Sequence, residues 1–268
     1  MNGDKRAGPA RAGRLVIFTD LDGTLLDYDG YSWAAAAEAL AALRAEAIPL
    51  VFCSSKTRAE QELHQEILGV RDPMIVENGS AVMTSDDEPV VLGVRRERVL
   101  EALAEIRREA EVVVRGYAAM TTAEVAALTG LSAEAAARAR MREYSETVHV
   151  DGGGEPWRRF RAAVDARGLR TWGSGPSGTV VGAGADKGRA VTLVTERYRR
   201  AGPVTTVGLG DGANDEPMLA AVDRPFLVER RGGGWTGMSV EGLERVEGVG
   251  PVGWARAIQR VLREVSPR

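Results

Sequence analysis

Two aspartates, Asp20 and Asp22, follow a short apolar run at residues 15–18 and lead into a glycine turn. A continuous apolar run of this length is typical of a strand buried on both faces of a parallel sheet. Open α/β sheets bind ligands at the carboxyl ends of their strands. Two carboxylates so close together repel each other unless a cation or a proton lies between them. The stretch therefore predicts a divalent metal, a difference in pKa between the two carboxylates, or both; the alternative is an ordinary surface turn.

A second predicted strand, residues 48–53, also ends in polar side chains. Ser54, Ser55 and Lys56 follow it, and a capping box then opens a helix over residues 57–69. A strand that ends in hydroxyl groups beside a helix N-terminus forms a binding site for anions. The segment predicts such a site, and the alternative is an ordinary strand-to-helix turn that uses the same residue types.

Two later segments repeat this arrangement of polar residues at strand ends and helix starts. A third predicted strand, residues 74–76, ends in a Glu-Asn-Gly turn, and Asn-Gly is a common turn sequence. Lys187 opens a predicted helix that extends to residue 200, and it is one of only three lysines among 35 basic residues. A fourth strand, residues 204–207, leads into a tight turn that contains Asp211 and Asp215. The carboxylates and the lysine are thus predicted to meet at one edge of a parallel sheet.

The composition excludes several classes of protein. The net charge of −3 and the pI near 5.7 argue against nucleic-acid binding, which usually requires a basic face. No apolar run reaches the length of a membrane span, and residues 1–12 have no apolar core, so we expect a flexible tail rather than a signal peptide. Cys53 is the single cysteine, which predicts a reducing, cytoplasmic location. His64 and His149 are the two histidines, too few for a histidine-based metal site.

The elements that position these residues predict an α/β fold with a parallel sheet, interrupted by an insert. The core domain is expected at residues 13–85 and 182–268, and an inserted α+β cap at residues 86–181. In the insert, the patterns predict strands at 90–93, 112–115, 148–150, 169–172 and 179–181 and helices at 97–110, 121–130, 132–142 and 156–167.

Four segments resemble, in order, the four motifs of the haloacid-dehalogenase-like (HAD) superfamily of phosphotransferases. They are Asp-x-Asp-Gly-Thr-Leu-Leu at residues 20–26, a strand ending in Ser54, Lys187 at a helix start, and Gly-Asp-Gly-x-Asn-Asp at residues 210–215. The resemblance covers essentially the whole chain. It implies a HAD-like Rossmannoid core with an inserted cap, and a phosphatase rather than a membrane pump, since the second aspartate of the first motif is present.

The same resemblance implies a division of roles at the site. Asp20 would attack phosphorus in line to give an aspartyl phosphate, and Asp22 would act as general acid and then general base. Ser54 and Lys187 would hold the phosphoryl group. The implied cofactor is Mg²⁺, which prefers one or two carboxylates with water and phosphate. Its expected protein ligands are Asp20, the backbone carbonyl of Asp22, Asp211, and Asp215, the last as a ligand or as a support for the ligands.

Two strings in the insert, at residues 120–131 and 139–146, resemble the cap of mannosyl-3-phosphoglycerate phosphatases. The Cys-Ser-Ser-Lys-Thr string at residues 53–57 and the Glu-Asn-Gly turn, which borders the substrate pocket in related proteins, add to this resemblance. That family converts mannosyl-3-phosphoglycerate to mannosylglycerate, a compatible solute, so the implied partner is a phosphorylated sugar-glycerate. The substrate-binding residues that the resemblance implies are Ser55, Lys56, Asn78, Gly79, Arg142, Glu143 and Ser145.

Other interpretations stay open. A HAD phosphatase for glucosyl-3-phosphoglycerate or sucrose phosphate would share every catalytic residue, and a phosphomannomutase would share the core but return the phosphoryl group to a sugar. A non-catalytic phosphate-binding module is a further alternative. Arg138 and Arg142 could simply form a solvated helix face, as charged stretches usually do. The sequence leaves the oligomeric state open.

Overall fold

The computed structural model of the chain describes residues 14–85, 87–109, 112–173 and 175–265. Its strands are β1 Arg14–Thr19, β2 Leu50–Cys53, β3 Met74–Val76, β4 Ala81–Met83, β5 Val90–Val91, β6 Val114–Gly116, β7 Ser145–Val150, β8 Leu169–Trp172, β9 Ser177–Gly182, β10 Val204–Gly210, β11 Arg224–Glu229 and β12 Glu244–Val249. Its helices are α1 Ala37–Ala45, α2 Arg58–Leu68, α3 Arg96–Glu109, α4 Thr122–Thr129, α5 Ala133–Ala139, α6 Gly154–Asp165, α7 Lys187–Arg199, α8 Glu216–Ala220 and α9 Pro251–Val265. The predicted tail at residues 1–12 lies outside the described residues.

The larger of the two sheets has eight strands in the order β12-β11-β10-β1-β2-β3-β4-β5. Neighbours from β12 to β3 pair in parallel, whereas β4 and β5 join antiparallel. Strand β2 lies on one side of β1, and the chain runs from β1 to it. Strands β10, β11 and β12 extend the sheet on the other side of β1. The loops after β1 and β10 therefore diverge and open a crevice, where ligands bind in open α/β sheets. This arrangement confirms the predicted α/β fold.

The central strand β1 is buried on both faces, which explains its uninterrupted apolar sequence. Val16 and Phe18 pack on one face in a cluster that includes Val191 of α7. Ile17 packs on the opposite face in a cluster that includes Trp254 of α9. Full burial of each such side chain contributes about 1.5–3 kcal/mol. The strand is thus firmly held on both sides, and the residues that follow it are fixed at the sheet edge.

Helix ends near this edge follow the signals in the sequence. In the predicted capping box of α2, Thr57 accepts from the Glu60 N–H at 3.2 Å and the Glu60 carboxylate accepts from the Thr57 N–H at 2.8 Å. The helix ends at Gly69, which is left-handed with φ of 62°. The cap of α4 at Thr121 and its end at Gly130 repeat the pattern. No helix in the described part of the chain is long and apolar enough to cross a membrane.

The smaller sheet has the order β6-β7-β9-β8, with every neighbouring pair antiparallel. Helices α3 and α6 pack on it around Leu103, Val148, Phe160 and Val180, all fully buried. We call residues 96–182 the cap segment. The predicted domain boundaries at residues 86 and 181 stay a proposal.

Some predicted element bounds are wrong. Helix α5 ends at Ala139 rather than at residue 142. Beyond it, the Arg140 guanidinium donates to the Tyr117 carbonyl at 3.3 Å and to Thr122 Oγ1 at 2.9 Å, contacts that hold the chain in a turn. Helix α6 begins at Gly154, two residues before the proline that was expected to open it. Strands β4 and β12 were not predicted.

Candidate active site

Asp20 lies immediately after β1 and is 5% exposed. Its N–H donates to the Leu209 carbonyl of β10 at 2.9 Å, which fixes it at the point where the crevice opens. Lys187, the first residue of α7, is also buried, and Asp186 caps that helix with its side chain. Lys187 Nζ donates to Asp20 Oδ1 at 2.9 Å and to Asp215 Oδ1 at 2.6 Å. The start of α7 therefore places one ammonium between two carboxylates.

Asp211 and Asp215 lie on the loop after β10, and Asp215 shapes that loop. Its Oδ2 accepts from the N–H groups of Asp211 and Gly212, each at 3.0 Å. Asp211 Oδ1 accepts from Thr24 Oγ1 at 3.2 Å, and Asp211 Oδ2 accepts from the Tyr28 hydroxyl. Thr24 and Tyr28 follow β1. Asp211 therefore joins the two loops that border the crevice.

Asp20, Asp211 and Asp215 can each offer one oxygen within 4.8 Å of the other two. All three are buried, and Lys187 balances only part of their charge. Arg230, which is half exposed, adds a second cation with its Nε 3.7 Å from Asp211 Oδ2. Buried carboxylates at this spacing favour a further cation between them, and hard oxygen donors suit a hard divalent ion. The residues present therefore fit a divalent metal.

This crowding shifts the protonation of the cluster. Burial, together with the Asp215 carboxylate, raises the pKa of Asp20, and the same two causes raise the pKa of Asp211. Burial alone would lower the pKa of Lys187, but the Asp20 and Asp215 carboxylates hold it above its ordinary value. Lys187 therefore remains an ammonium. A further cation at the cluster would favour the ionised forms of Asp20 and Asp211, since it would lower their raised pKa values.

Asp22 pairs with a different lysine. Its Oδ1 lies 3.0 Å from Lys56 Nζ, which also lies 3.6 Å from Glu60 Oε1 and 4.4 Å from the centre of the Tyr31 ring. Burial raises the pKa of Asp22, and Lys56 opposes that rise. Burial would lower the pKa of Lys56, but Asp22 and Glu60 raise it to about 12. Asp20 and Asp22 thus have separate environments, as two carboxyl groups need if they are to differ in protonation.

The predicted phosphate-binding Ser54 is fully buried after β2. Its hydroxyl accepts from the Lys56 N–H at 3.3 Å, and its carbonyl accepts from the Asn78 N–H at 3.0 Å. Asn78 Oδ1 accepts in turn from Asn214 Nδ2 at 3.3 Å. These contacts connect the loops after β2, β3 and β10 along the same edge of the sheet.

Gly79 lets the loop after β3 approach the start of α7. Its φ is +80°, and a Cβ at this position would lie 2.3 Å from the Asp186 carbonyl carbon and 2.5 Å from the Lys187 nitrogen. The Asp186 N–H also donates to the Gly79 carbonyl at 3.3 Å. A side chain at this position would clash with the backbone at the start of α7, so the predicted turn residue is what lets the two segments pack together.

Three predicted substrate residues, Arg142, Glu143 and Ser145, lie together around the fully buried Glu77. The Glu77 carboxylate accepts from the Glu143 N–H at 2.8 Å and from the Ser145 hydroxyl. Arg142 Nη1 donates to Ser145 Oγ at 2.8 Å and to the Ser55 carbonyl at 3.4 Å. The Arg142 side chain is 7% exposed, so a solvated helix face is the wrong interpretation for it. These contacts join the cap segment to the sheet, apart from the Asp20 cluster.

Sequence reasoning missed two tyrosines at the site. Tyr28 fills the space beside Gly23, where a Cβ would lie 2.2 Å from the tyrosine ring, and it reaches Asp211. Tyr31 covers Lys56. The available signal was the presence of aromatic residues among the aspartates and glycines that follow the first motif.

Comparisons with known proteins agree with this geometry. Residues 17–148 match the family model described as haloacid dehalogenase-like hydrolase. A glucosyl-3-phosphoglycerate/mannosyl-3-phosphoglycerate phosphatase from Methanococcoides burtonii is 36% identical over 264 residues, which cover 92% of this chain and 97% of that protein. A protein with the same name from Persephonella marina is 33% identical over 268 residues, with coverage of 94% and 98%.

Solved structures share the fold at lower identity. BT1666 from Bacteroides thetaiotaomicron, described among phosphatases of the haloalkanoate (HAD) superfamily, has a TM-score of 0.70 at 18% identity, with 98% of this chain and 100% of that chain covered. The subclass IIB sugar phosphatase BT4131 has a TM-score of 0.65 at 15% identity, with coverage of 94% and 99%. At these identities the likeness concerns the fold alone.

Proposed function

We propose that this chain, which belongs to the haloacid dehalogenase-like hydrolase family and is a phosphoric monoester hydrolase, removes phosphate from mannosyl-3-phosphoglycerate to leave mannosylglycerate. The observation that carries the proposal is the contact of Asp20 with Lys187 at the crevice, with Asp22 held separately by Lys56. The relatives from Methanococcoides burtonii and Persephonella marina support the substrate class, because they align over nearly the whole chain. The product would serve as a compatible solute.

In the first step, an ionised Asp20 oxygen forms a bond to phosphorus while the bond to the leaving oxygen breaks. Asp22 donates its proton to that leaving oxygen. The Lys187 ammonium, together with the buried Ser54 at the next strand end, stabilises charge on the phosphoryl oxygens. The sugar-glycerate leaves as an alcohol, and Asp20 carries the phosphoryl group as an acyl phosphate.

In the second step, Asp22 takes a proton from water, and the water oxygen attacks phosphorus. The bond between phosphorus and Asp20 breaks, which releases inorganic phosphate and restores the carboxylate. We infer that Mg²⁺ is held by Asp20, the backbone carbonyl of Asp22 and Asp211, with Asp215 as a ligand or support. When bound, it supplies positive charge to the phosphoryl oxygens.

Glucosyl-3-phosphoglycerate is the second candidate substrate, since the names of both relatives contain it alongside the mannosyl compound. Sucrose phosphate hydrolysis or phosphomannomutase activity would use the same core residues. We also propose that the enzyme is cytoplasmic. With Cys53 as its single cysteine the chain can form no internal disulfide, and proteins of reducing compartments seldom contain disulfides.

Phosphate release from a panel of compounds with Mg²⁺ tests the proposal. The panel contains mannosyl-3-phosphoglycerate, glucosyl-3-phosphoglycerate, sucrose 6-phosphate, mannose 6-phosphate and 3-phosphoglycerate. We expect the highest kcat/KM for the mannosyl compound. Faster hydrolysis of simple sugar phosphates would refute the substrate, and a requirement for a sugar bisphosphate with no net phosphate release would identify a mutase.

A further inference from the structure

A cavity of about 160 Å³ lies between α2 and α5, and one of its lining residues, Lys56, has its Nζ 3.0 Å from Asp22 Oδ1. Its walls come from the loop after β1, from α2 and from the cap segment. The residues that matter for its chemistry are Tyr31, Lys56, Glu60, Leu63, His64 and Arg138. Because the general acid must contact the leaving oxygen, the cavity is separated from that oxygen by the ion pair of Asp22 with Lys56, which is close enough for a leaving group to extend into it.

Arg138 is the cation of this cavity that is available to a ligand. Its carbonyl accepts from Thr57 Oγ1 at 3.0 Å, which joins the end of α5 to the start of α2. Its guanidinium has no hydrogen-bond or ion-pair partner among the residues that the structure describes. Arg140 and Arg142, by contrast, donate to cap-segment and loop oxygens at 2.8–3.4 Å. Arg138 therefore keeps its whole guanidinium for an anion, whereas Arg142 keeps only its buried Nε–H without a partner among the described residues.

The other charges of the cavity are already matched or absent. Lys56 is shared between Asp22 and Glu60. Burial and the positive charges of Lys56 and Arg138 lower the pKa of His64 to about 4, so the imidazole is neutral near pH 7. A ligand carboxylate entering the cavity would therefore find its strongest partner in Arg138, since guanidinium and carboxylate form paired, charge-assisted hydrogen bonds.

Tyr31 forms one wall in a strained conformation. Its φ of 53° lies in the left-handed region, which is unusual for a bulky residue and costs of order 1–3 kcal/mol. The conformation places the ring 4.4 Å from Lys56 Nζ and in the lining of the cavity. Such strain is concentrated at sites where a side chain must be held in one position. An aromatic face suits the carbon skeleton of a sugar or a glycerate.

We propose that this cavity binds the leaving-group end of the substrate, with the glycerate carboxylate on Arg138 and the attached sugar against Tyr31. The assignment rests on the proposed function and extends it. It makes Arg138 the residue that selects a carboxylated leaving group. It also gives Arg142, which was expected to recognise the substrate, the separate role of joining the cap segment to the Ser55 carbonyl.

The test compares a substrate pair that differs at the carboxylate, 3-phosphoglycerate and glycerol 3-phosphate. Arg138→Met should lower kcat/KM for 3-phosphoglycerate about 10- to 100-fold, the value of a lost charge-assisted hydrogen bond, and change glycerol 3-phosphate about twofold or less. Arg138→Lys should recover part of the loss. Arg161→Met, on the exposed face of α6, is the matched control and should leave both substrates unchanged.

An equal loss on both substrates, or no loss on either, would overturn the proposal. Inhibition of p-nitrophenyl phosphate hydrolysis by glycerate gives the same comparison without turnover of either phosphate: Arg138→Met should raise its inhibition constant about 10-fold or more. An unchanged constant would also overturn the proposal.

Tyr31→Ala and Tyr31→Phe test the second wall. The alanine variant should raise KM for mannosyl-3-phosphoglycerate about 10-fold while 3-phosphoglycerate is little affected, and the phenylalanine variant should resemble the wild type. Equal effects on both substrates would remove Tyr31 from the proposal. If the wild type hydrolyses no sugar-glycerate phosphate, the proposed function fails, whereas the carboxylate comparison at Arg138 still gives its own answer.

Discussion

Two regions of the molecule bury charge in opposite ways. The Asp20 cluster at the carboxyl edge sets three carboxylates, Asp20, Asp211 and Asp215, around Lys187. The contact between the cap segment and the loops of the large sheet, which we call the cap contact, surrounds Glu77 with matched donors. Glu77 accepts from two N–H groups and one hydroxyl, with Arg142 Nη1 3.9 Å away.

This difference in charge compensation indicates which region binds a ligand. A buried carboxylate is tolerated when hydrogen bonds and a cation balance it, and Glu77 has both. Glu146 in the cap segment repeats this arrangement, with Arg96 Nε at 2.7 Å and the Ala118 N–H at 2.7 Å. The Asp20 cluster keeps excess negative charge and raised pKa values, which are features of a reactive site. Glu77 and Glu146 are balanced within the protein, whereas the Asp20 cluster leaves negative charge that a bound cation would balance.

The largest expected effect is the loss of phosphate release in Asp20→Asn, which removes the nucleophile from the Asp20 cluster. An amide oxygen cannot form the acyl phosphate, so we expect phosphate release to fall about 10⁴-fold or more. Because the substitution removes one of three crowded charges, the thermal midpoint without metal should not fall. Retained turnover in a correctly folded variant would contradict the role of Asp20 as nucleophile.

Gly79→Ala should damage both regions at once, because Gly79 lies between the cap-contact loop and Lys187. A Cβ there meets the Asp186 and Lys187 backbone at 2.3–2.5 Å, so we expect a loss of about 3–5 kcal/mol in unfolding free energy, from left-handed strain and overpacking together, and a large loss of activity. Gly130→Ala is the matched control. It has a similar φ of +76° with nothing within 4 Å of the added Cβ, and it should cost about 1–2 kcal/mol. Equal losses, measured by chemical denaturation, would show that the close approach is unimportant.

The sequence predicts the Asp20 cluster better than the cap contact, and the reason is local. Asp20, Ser54 and Asp211 each follow a buried apolar strand, and Lys187 opens a helix, so parallel pairing alone brings them to one edge. Their catalytic roles stay predictions. Turn and helix-cap residues were predicted equally well, because a capping box or a helix-ending glycine is recognised from a few adjacent residues.

The cap contact depends on partners that are far apart in the chain. Arg142 donates to the Ser55 carbonyl, 87 residues away in the sequence, and a local sequence pattern cannot predict a contact over that separation. The missed strand β12 has the sequence Glu-Arg-Val-Glu-Gly-Val, in which Val246 is the one buried residue. An exposed edge strand carries little alternation, so periodicity gives a weak signal there. Strand β4 has only three residues, too few for a period to show.

Thermal midpoints measured with Mg²⁺ and with EDTA test whether the metal binds at the Asp20 cluster or at the cap contact. A divalent ion that binds the folded state should stabilise it by about 2.7 kcal/mol at 100 times its dissociation constant. We expect Mg²⁺ to raise the thermal midpoint of the wild type and EDTA to reverse the rise and abolish phosphate release. Asp211→Asn should lose most of the shift, whereas Glu77→Gln, in the cap contact, should keep it. A shift of equal size in both variants would refute the assignment of the metal to the cluster.

The smallest expected effect concerns His64, which lines the cavity between α2 and α5. Burial, Lys56 and Arg138 lower its folded-state pKa to about 4, below the value of about 6.5 in an unfolded chain. Between these values the unfolded chain binds the additional proton, so this contribution to stability is complete above about pH 6.5 and is lost as the pH falls toward 4.

His64→Gln should therefore flatten the dependence of unfolding free energy on pH in that window by about 1–2 kcal/mol, a value reduced for the partial exposure of the ring. The carboxylates of the Asp20 cluster act in the opposite direction, since their raised pKa values make the folded state bind more protons. They are present in both proteins and cancel in the difference. His149→Gln controls for the loss of a histidine. A difference between wild type and His64→Gln that does not change from pH 4 to 6.5 would show that the imidazole is not held neutral by its burial beside Lys56 and Arg138.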